Sequence, residues 1–467
     1  MKLQIDAIIV CNAEVSMSNI LSLAKKQKLN SIAIISTHLF YPNEKSFLQE
    51  QIENIKFLSF ADLLHETEMN FIDNKAHQEL INVPPIFYVQ KYESLINRLK
   101  NELVRQKVEE SYQAQVIFCL QGLGIERAVW NSPQTKDISD QIKPRVTSLW
   151  ERIISKLRSS IQLSLYRDGN LSFILLGTAK RIKFQRGARF TLNLPGMLSP
   201  VFFSLLKLIK KLTKLRLCCS IHDRYPLADY VFIDGYHPSN YPFSYLGSFR
   251  GDITFLAANE FQGKWFTKYG FKVEIRDSML IQPIFREINN PIREVQKKRV
   301  LLLLNHAGDW AAIINRSDTE RLIIAFCELA ELIPDLEFVV RPHPTSIHFR
   351  HEGSKTIQRL RDYIEWLGIR NLKLSNSSLD EDIEAASLAI SEYSLTLIDC
   401  YQKGKPALIA NLTGRRSLME DYQTFGFYQV ETKQEMTEAV SGFFFSPDKL
   451  VNIQNRAIHR YNEMISG

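Results

Sequence analysis

The sequence predicts an α/β protein with two Rossmann-like, doubly wound domains that face a common cleft. Short apolar runs alternate with helical patterns from residue 3 onward, and a second such series starts at residue 300. The chain of 467 residues is longer than one hydrophobic core usually serves. A charged stretch with proline and asparagine, 283–299, separates the two series. We therefore expect an N-terminal domain at 1–290 and a C-terminal domain at 291–467.

The first series opens with a β-α-β pattern. Residues 3–10 and 31–36 are apolar strand patterns, and the helical pattern between them, 16–29, begins at Ser16, a residue type that caps helices well. The later elements expected in this half are strands at 55–60, 115–120, 171–177, 228–238 and 253–256, helices at 86–112, 144–165 and 260–269, a basic solvated loop at 178–189, and the last elements at 273–281.

The second series begins with Val300–Leu304, an apolar run typical of a strand that is buried on both faces. A helix is expected at 318–332 and a strand at 336–340. The shorter elements that follow are helical patterns at 363–367, 383–386 and 395–401 and strands at 372–374, 388–390 and 407–410. This alternation predicts a second parallel sheet that is covered by helices.

A basic amphipathic segment lies at 201–217 in the first half. On a helix its lysines, Lys207, Lys210, Lys211 and Lys214, fall on one side and its leucines on the other. Its apolar stretches are shorter than the roughly 20 residues that cross a bilayer. Two interpretations stay open: an interfacial helix on an anionic membrane surface, and a helix packed on its own domain with its lysines in water.

Composition narrows the function classes. The net charge of +7 and the pI near 8.9 favour anionic ligands, but no Lys/Arg tract with interleaved aromatics supports nucleic-acid binding. The six cysteines form no CxxC pair and no zinc-type spacing, so buried free thiols in a reducing cytoplasm are expected. The N-terminus has the pattern of a first strand and not of a signal peptide. We expect a cytoplasmic protein, peripheral at the inner face of the membrane if 201–217 binds lipid.

Two strand ends in the second half resemble the two sides of a phosphate pocket. The strand at 336–340 is followed by Arg341, Pro342, His343 and Pro344, which place a guanidinium and an imidazole on a stiff turn. Open α/β sheets bind ligands at the carboxyl ends of their strands. An alternative is that Arg341 and His343 only cap a neighbouring loop.

The other strand end is at 388–390. It is followed by Ser391, Glu392, Ser394 and Thr396, whose hydroxyls and backbone N–H groups can bind an anion where a helical pattern begins. Ser394 is also a good N-cap, so helix capping alone is the alternative. His306 and Gly308, in the loop after the strand at 300–304, are expected to border the same cleft.

No metal or other cofactor is predicted. Asp380-Glu381-Asp382 is best explained as negative charge at a helix N-terminus. The candidate general base is Asp234, at a strand end of the first half, with His237 as the alternative. A simple Asp-Gly turn is the structural interpretation of the same pair.

Three stretches resemble GT-B transferases that build bacterial surface polysaccharides. The run 391–399 followed by Gly404-Lys405-Pro406 resembles the Asp-Tyr-Ser-Ser…Asp…Lys-Pro pattern of CDP-glycerol glycerophosphotransferases. The run Arg341-Pro-His-Pro344 resembles the His-Pro motif of bacterial sialyltransferases and capsular Kdo transferases, whose histidine contacts the CMP phosphate. Residues 255–283 resemble the end of the first GT-B domain. The likeness spans roughly residues 250–440.

The resemblance departs from both families in detail. The sialyltransferase base motif has two acidic residues before a glycine, whereas this chain has Ile233-Asp-Gly235, so only Asp234 corresponds. The adjacent serines of the glycerophosphotransferases correspond to Ser394 and Leu395. The resemblance implies a metal-independent glycosyltransferase that moves a sugar from a CMP- or CDP-linked donor to a capsular, lipopolysaccharide or lipid-linked glycan. A polyol-phosphate transferase, a nucleotide-sugar epimerase and a non-catalytic subunit of a glycan-assembly complex are the alternatives.

Overall fold

Three sheets and their connecting helices form the part of the protein that the computed structural model describes. The described residues are 2–11, 15–80, 85–120, 135–137, 162–165, 171–175, 180–185, 189–193, 216–220, 253–257, 267, 272–275, 287–290, 292, 298–304, 316–343, 352–392, 394, 396–412 and 427–466. Several predicted elements and site residues lie outside these ranges, among them the strand at 228–238 and most of the segment 201–217.

The first sheet has five parallel strands in the order β3-β2-β1-β4-β5. Ser16 caps the first helix, where its hydroxyl accepts a hydrogen bond from the Asn19 N–H, as the sequence predicts. The strands are β1 Leu3–Cys11, β2 Ser31–Ser36, β3 Asn54–Ser59, β4 Tyr112–Cys119 and β5 Thr135–Asp137, and the helices are α1 Met17–Gln27, α2 Pro42–Gln49, α3 Phe60–Leu63, α4 Glu66–Leu80 and α5 Pro85–Ser111.

The second sheet has seven strands in the order β12-β11-β10-β9-β8-β7-β6. Its first four strands along the chain pair antiparallel, and the pairs from β9 to β12 are parallel. The strands are β6 Gln162–Leu165, β7 Leu171–Leu175, β8 Lys180–Gln185, β9 Arg189–Asn193, β10 Arg216–Ser220, β11 Ile253–Ala257 and β12 Lys272–Ile275.

Two sequence predictions for this sheet are wrong. The end of the predicted helix 144–165 is the strand β6, and the basic segment 178–189 contains β8 instead of a solvated loop. In β8 the residues Arg181 and Lys183 alternate with Ile182 and Phe184, which is the period of a strand. The last two residues of the segment 201–217 belong to β10, and its other residues lie outside the described part. Pairing with neighbouring strands decided the conformation, which the local charge pattern did not reveal.

The third sheet has six parallel strands in the order β15-β14-β13-β16-β17-β18. Val300 to Leu303 are at most 3% exposed, as expected for a strand buried on both faces. Its strands are β13 Arg299–Leu303, β14 Glu337–Arg341, β15 Leu372–Leu374, β16 Leu388–Ser391, β17 Ala407–Ala410 and β18 Gln429–Val430. Its helices are α6 Arg316–Leu332, α7 Glu352–Leu367, α8 Leu379–Ala385, α9 Thr396–Gln402, α10 Lys433–Phe445 and α11 Pro447–Ser466.

The first and third sheets share the strand order of a doubly wound α/β fold. The predicted fold class, α/β with two Rossmann-like sheets, is therefore confirmed. In both sheets the first strand lies in the centre, and the chain then builds outward on one side before it returns to the other. Fully burying each Val, Leu or Ile of these central strands contributes about 1.5–3 kcal/mol, so the sheets carry much of the core.

Contacts divide the chain into two compact units. Unit 1 contains residues 1–73, 94–144 and 288–458 and thus the first and third sheets; unit 2 contains residues 74–93, 145–287 and 459–467. The chain returns from unit 2 to unit 1 at Ile288, close to the expected linker. The division into domains at 1–290 and 291–467 stays a prediction. Among the described residues no helix is long and apolar enough to cross a membrane.

Candidate functional site

The third sheet has a topological switch point between β13 and β16. Successive strands run from β13 to β15 in one direction, and from β16 to β18 in the other. In open α/β sheets, ligands bind in the crevice that forms at the carboxyl ends of the strands at this point. Leu303 of β13 is in register with Arg341 of β14, and Leu302 is in register with Ile390 of β16. The two predicted halves of the phosphate pocket therefore flank the end of one strand.

Arg341 ends β14 and forms an ion pair with Asp382 of α8. Its Nη1 donates to the Asp382 carboxylate at 2.5 Å and to the Ser377 carbonyl at 2.7 Å. The side chains of Arg341 and Asp382 are 13% and 4% exposed, and the Ser375 hydroxyl donates to the same carboxylate oxygen of Asp382. These contacts attach the end of β14 to the start of α8, as the capping alternative expects. The predicted contact of Arg341 with phosphate stays a prediction.

Ser391 and Glu392 join the end of β16 to its neighbours. The buried hydroxyl of Ser391 donates to the Leu303 carbonyl at 2.7 Å, across the switch point. The Glu392 carboxylate, 8% exposed, accepts a hydrogen bond from the Thr319 hydroxyl of α6 at 3.1 Å. Ser391 thus closes the gap between β13 and β16, and Glu392 connects it to the helix that follows β13.

Ser394 and Thr396 form the start of α9. The Ser394 hydroxyl accepts from the Thr396 N–H at 3.3 Å, and its carbonyl accepts from the Leu397 N–H at 3.0 Å. Ser394 thus caps the first N–H group of α9 from two residues before the helix begins, in line with the capping that the sequence predicts. The helix has only seven residues, so the argument for an anion here depends on the hydroxyls at the switch point and not on a helix dipole.

His343 lies two residues beyond β14 and is half-buried. The remaining predicted site residues, Asp234, His237, His306, Gly308 and Pro344, lie outside the described residues, so their roles stay predictions. The structure brings together Arg341, His343, Ser391, Glu392, Ser394 and Thr396 at the carboxyl edge of one sheet.

The acidic stretch 380–382 lies in the first turn of α8, where the sequence places it. Asp380 pairs with Lys403 at 2.9 Å, and Glu381 forms a capping box with Ser378. The hydrogen bonds from the Ser378 backbone and side chain lower the pKa of Glu381. Each of the three carboxylates thus has a partner within the protein. Within the described part of the chain, no group of three His, Cys, Asp or Glu side chains is placed to hold a metal ion.

Burial keeps two of the described cysteine thiols protonated. Cys11, Cys119, Cys327 and Cys400 are free and buried, as the sequence predicts. Burial raises the pKa of the Cys11 and Cys327 thiols to about 12, so these thiols stay protonated at neutral pH. Thiolate chemistry at these positions is therefore not part of the candidate site.

A buried charge cluster around Arg359 was not predicted from the sequence. Its guanidinium donates to both carboxylate oxygens of Glu44 at 2.7 Å and to Glu320 at 2.6 Å, and it lies 4.9 Å from the centre of the Tyr41 ring. Burial by itself lowers the pKa of Arg359, but Glu320 and Glu44 outweigh this effect and raise it above the usual value. The sequence contains one weak signal for part of this cluster. Glu44 lies at the N3 position of α2, whose N-cap is Tyr41, but the start of this helix was not predicted.

This cluster joins elements of the first and third sheets inside unit 1. Glu44 belongs to α2 of the first sheet, whereas Glu320 and Arg359 belong to α6 and α7 of the third. A cavity of about 670 Å³ lies beside the cluster, with Glu44 and Arg359 in its wall. The described structure therefore has two concave features of interest: the switch point of the third sheet and this cavity.

No family model matches the chain, and no curated protein matches it either. Among solved structures, the chain is similar to the HepE protein of Anabaena in complex with UDP and glucose, with 10% identity, a TM-score of 0.35 and coverage of 99% of this chain and 95% of that one.

Two further solved structures have comparable similarity. The UDP-GlcNAc 2-epimerase of Neisseria meningitidis bound to UDP-GlcNAc is 11% identical with a TM-score of 0.30 and coverage of 99% and 98%. The wall teichoic acid polymerase TagF is 9% identical with a TM-score of 0.30 and coverage of 98% and 84%. Similarity of this size carries no argument about the activity of the chain.

Proposed function

We propose that the protein is a metal-independent glycosyltransferase of the GT-B type that moves a sugar from a nucleotide donor, CMP- or CDP-linked, to a surface glycan or lipid-linked acceptor. The observation that carries the proposal is the arrangement at the switch point of the third sheet. There, Arg341 ends β14 and His343 follows it, while Ser391 ends β16 and Ser394 and Thr396 follow it, on either side of β13. The residue patterns at these two strand ends are those that resemble the cytidine-nucleotide transferases.

The site residues divide into two groups in this proposal. His343, Ser394 and Thr396 bind the donor phosphates with an imidazole and two hydroxyls. Arg341 binds them with the guanidinium N–H groups that Asp382 and Ser377 do not use, and Pro344 stiffens the turn. Ser391 and Glu392 hold the strand ends in place through Leu303 and Thr319. His306 and Gly308 border the site from the loop that begins after β13.

The acceptor side of the reaction requires a base. Asp234 takes the proton from the acceptor hydroxyl in this proposal, with His237 as the alternative base. Hydrogen-bond donors held at the donor phosphates offset the negative charge that develops on the leaving nucleotide. In other transferases a metal ion has this role. The experiment is turnover of an Asp234→Asn variant and a His237→Ala variant: loss of turnover with unchanged nucleotide affinity identifies the base.

The first test is titration calorimetry with CMP, CDP, UDP and GDP. We expect a cytidine nucleotide to bind most tightly, and the absence of binding to all four would sink the transferase proposal. An epimerase releases a free sugar or an epimer without an acceptor, and a polyol-phosphate transferase uses CDP-glycerol. A non-catalytic assembly subunit keeps its binding partners when Asp234 and His237 are both replaced. Product analysis with and without acceptor therefore separates the alternatives.

A further inference from the structure

The cavity of about 670 Å³ in unit 1 is formed by three helices that connect strands of two different sheets. It is bounded by the start of α1, by α2 and by the second half of α7. None of these elements is part of the switch-point site, and the chemistry of the wall differs from that of a phosphate pocket.

Two exposed aromatic side chains border the cavity. Phe47 of α2 and Trp366 of α7 are 42% and 53% exposed. The Trp366 ring lies 6.3 Å from the Tyr363 ring at an interplanar angle of 23°, and Tyr363 stacks on Tyr41 at 4.8 Å and 8°. The indole is thus supported from behind by buried rings. A supported, solvent-exposed aromatic face suits a flat ligand with an apolar face or a cation.

The charge of the wall is negative. Three carboxylates line the cavity, Glu44, Glu50 and Asp362, against one cation, Arg359. Arg359 is already bonded to Glu44 and, outside the lining, to Glu320. Asp362 accepts one hydrogen bond from Gln358, and Glu50 has no ion pair with any described residue. A phosphate would be repelled here, whereas an ammonium group would be attracted.

The wall also offers acceptors for hydroxyl and amine donors. The Asn43 Oδ1 is shielded from solvent and accepts no hydrogen bond from any described residue. Ser16 and Ser18, whose hydroxyls lie 2.9 Å apart, line the same cavity at the start of α1. Because the Asn43 Oδ1 is closed to solvent, it is also closed to a ligand, and the exposed hydroxyls of Ser16 and Ser18 are the polar contacts that this part of the wall offers.

We infer that this cavity binds an amine-bearing sugar: Trp366 and Phe47 pack on the ring faces, Glu50 and Asp362 pair with the ammonium groups, and the Ser18 hydroxyl accepts from a hydroxyl or amine. The nucleotide donor does not enter it. The role of this sugar as the acceptor rests on the proposed transferase function, but its binding does not.

Calorimetric titration of the intact protein with a glucosamine trimer, below the pKa of its amines, tests the inference. We expect binding that weakens with salt, and a rise in Kd of about tenfold in Trp366→Ala and in Asp362→Asn. The matched controls are Phe445→Ala, an exposed aromatic away from the cavity, and Glu365→Gln, an exposed acid on the same helix; both should bind as wild type does.

Two comparison probes complete the experiment. A neutral cellotriose should bind more weakly than the glucosamine trimer, and an anionic galacturonate trimer should bind more weakly still. No binding of the glucosamine trimer, equal binding of either comparison probe, or equal losses in the control variants overturns the inference. The sugar titration contains no nucleotide, so the two titrations test different claims. Failure of nucleotide binding would contradict the proposed function, and failure of sugar binding would contradict the inference about the cavity.

Discussion

Arg359 and Glu44 form two parallel hydrogen bonds across 315 positions of the sequence. The pair is 12% and 10% exposed, and the same guanidinium also bonds to Glu320 and to the Leu39 carbonyl. One side chain thereby satisfies two carboxylates, on helices that connect strands of two sheets, and a backbone oxygen in the loop before α2. Removing it takes the shared guanidinium away from two buried carboxylates.

The first prediction is that Arg359→Met destabilises the protein by about 3–5 kcal/mol, because breaking a buried ion pair leaves uncompensated charge. Urea unfolding measures the loss. The matched control is Arg361→Met, an exposed arginine on the same helix, which should change stability by no more than about 0.5 kcal/mol. Equal effects of the two substitutions would show that the cluster contributes little to stability.

Ser391 provides a second prediction, which separates a structural role from a binding role. Ser391→Ala leaves the buried Leu303 carbonyl without its 2.7 Å hydrogen bond, at a cost of about 1–3 kcal/mol in unfolding free energy. Ser22→Ala, at an exposed position in the middle of α1, should change the unfolding free energy by no more than about 0.5 kcal/mol. We expect the free energy of nucleotide binding to change less than the free energy of unfolding, because the Ser391 hydroxyl already donates to the Leu303 carbonyl. A full loss of nucleotide binding in a stably folded variant would instead assign the hydroxyl to the ligand.

Glu337 gives a prediction about pH. Burial by itself raises the pKa of Glu337, but its hydrogen bonds from Lys373 and Arg299 outweigh this and lower the pKa below the usual value. A depressed carboxylate pKa adds stability that is complete above the unfolded pKa of about 4.3 and is lost as pH falls through the folded pKa. Glu337→Gln should therefore be destabilised near neutral pH and approach the wild type in acid. If the unfolding free energies of the two proteins changed in parallel with pH across that range, the prediction would be wrong.

The phosphate role of His343 leads to a fourth prediction. His343→Ala should weaken binding of the preferred nucleotide by about tenfold or more, as expected for one lost charge-assisted hydrogen bond. Calorimetry measures the affinity, and the exposed His459→Ala is the control. Unchanged affinity and turnover in His343→Ala would remove this residue from the site.

A fifth prediction concerns the basic segment 201–217. If this segment binds an anionic membrane surface, the wild-type protein should float with anionic liposomes, and changing Lys207, Lys210, Lys211 and Lys214 to Gln should abolish flotation. The control is liposomes of neutral lipid, on which neither protein should float. If the wild-type protein stays in the bottom fraction with anionic lipid, the membrane interpretation is excluded. Packing of the segment on the protein itself is then favoured.

The sequence alone was sufficient for much of the fold around the candidate site. The strands at 3–11, 31–36, 299–303 and 337–341 follow from local runs of apolar residues, and Ser16 and Ser394 follow from local capping chemistry. Such signals depend on neighbours within a few residues, so a linear pattern contains them. The strand order, and thus the switch point, depends on which strands pair. The alternation of strands and helices predicts the fold class but not this pairing.

Only the tertiary structure decided how individual side chains are used. The sequence places Arg341 at a strand end as a free cation, but packing of α8 brings Asp382 to it. It gives no sign that Arg359, Glu44 and Glu320 meet, or that Phe47 and Trp366 share a cavity. These contacts join residues far apart in the chain and are created when sheets and helices pack. Local residue patterns determined the elements of this protein, and long-range packing determined which of its charges are available to a ligand.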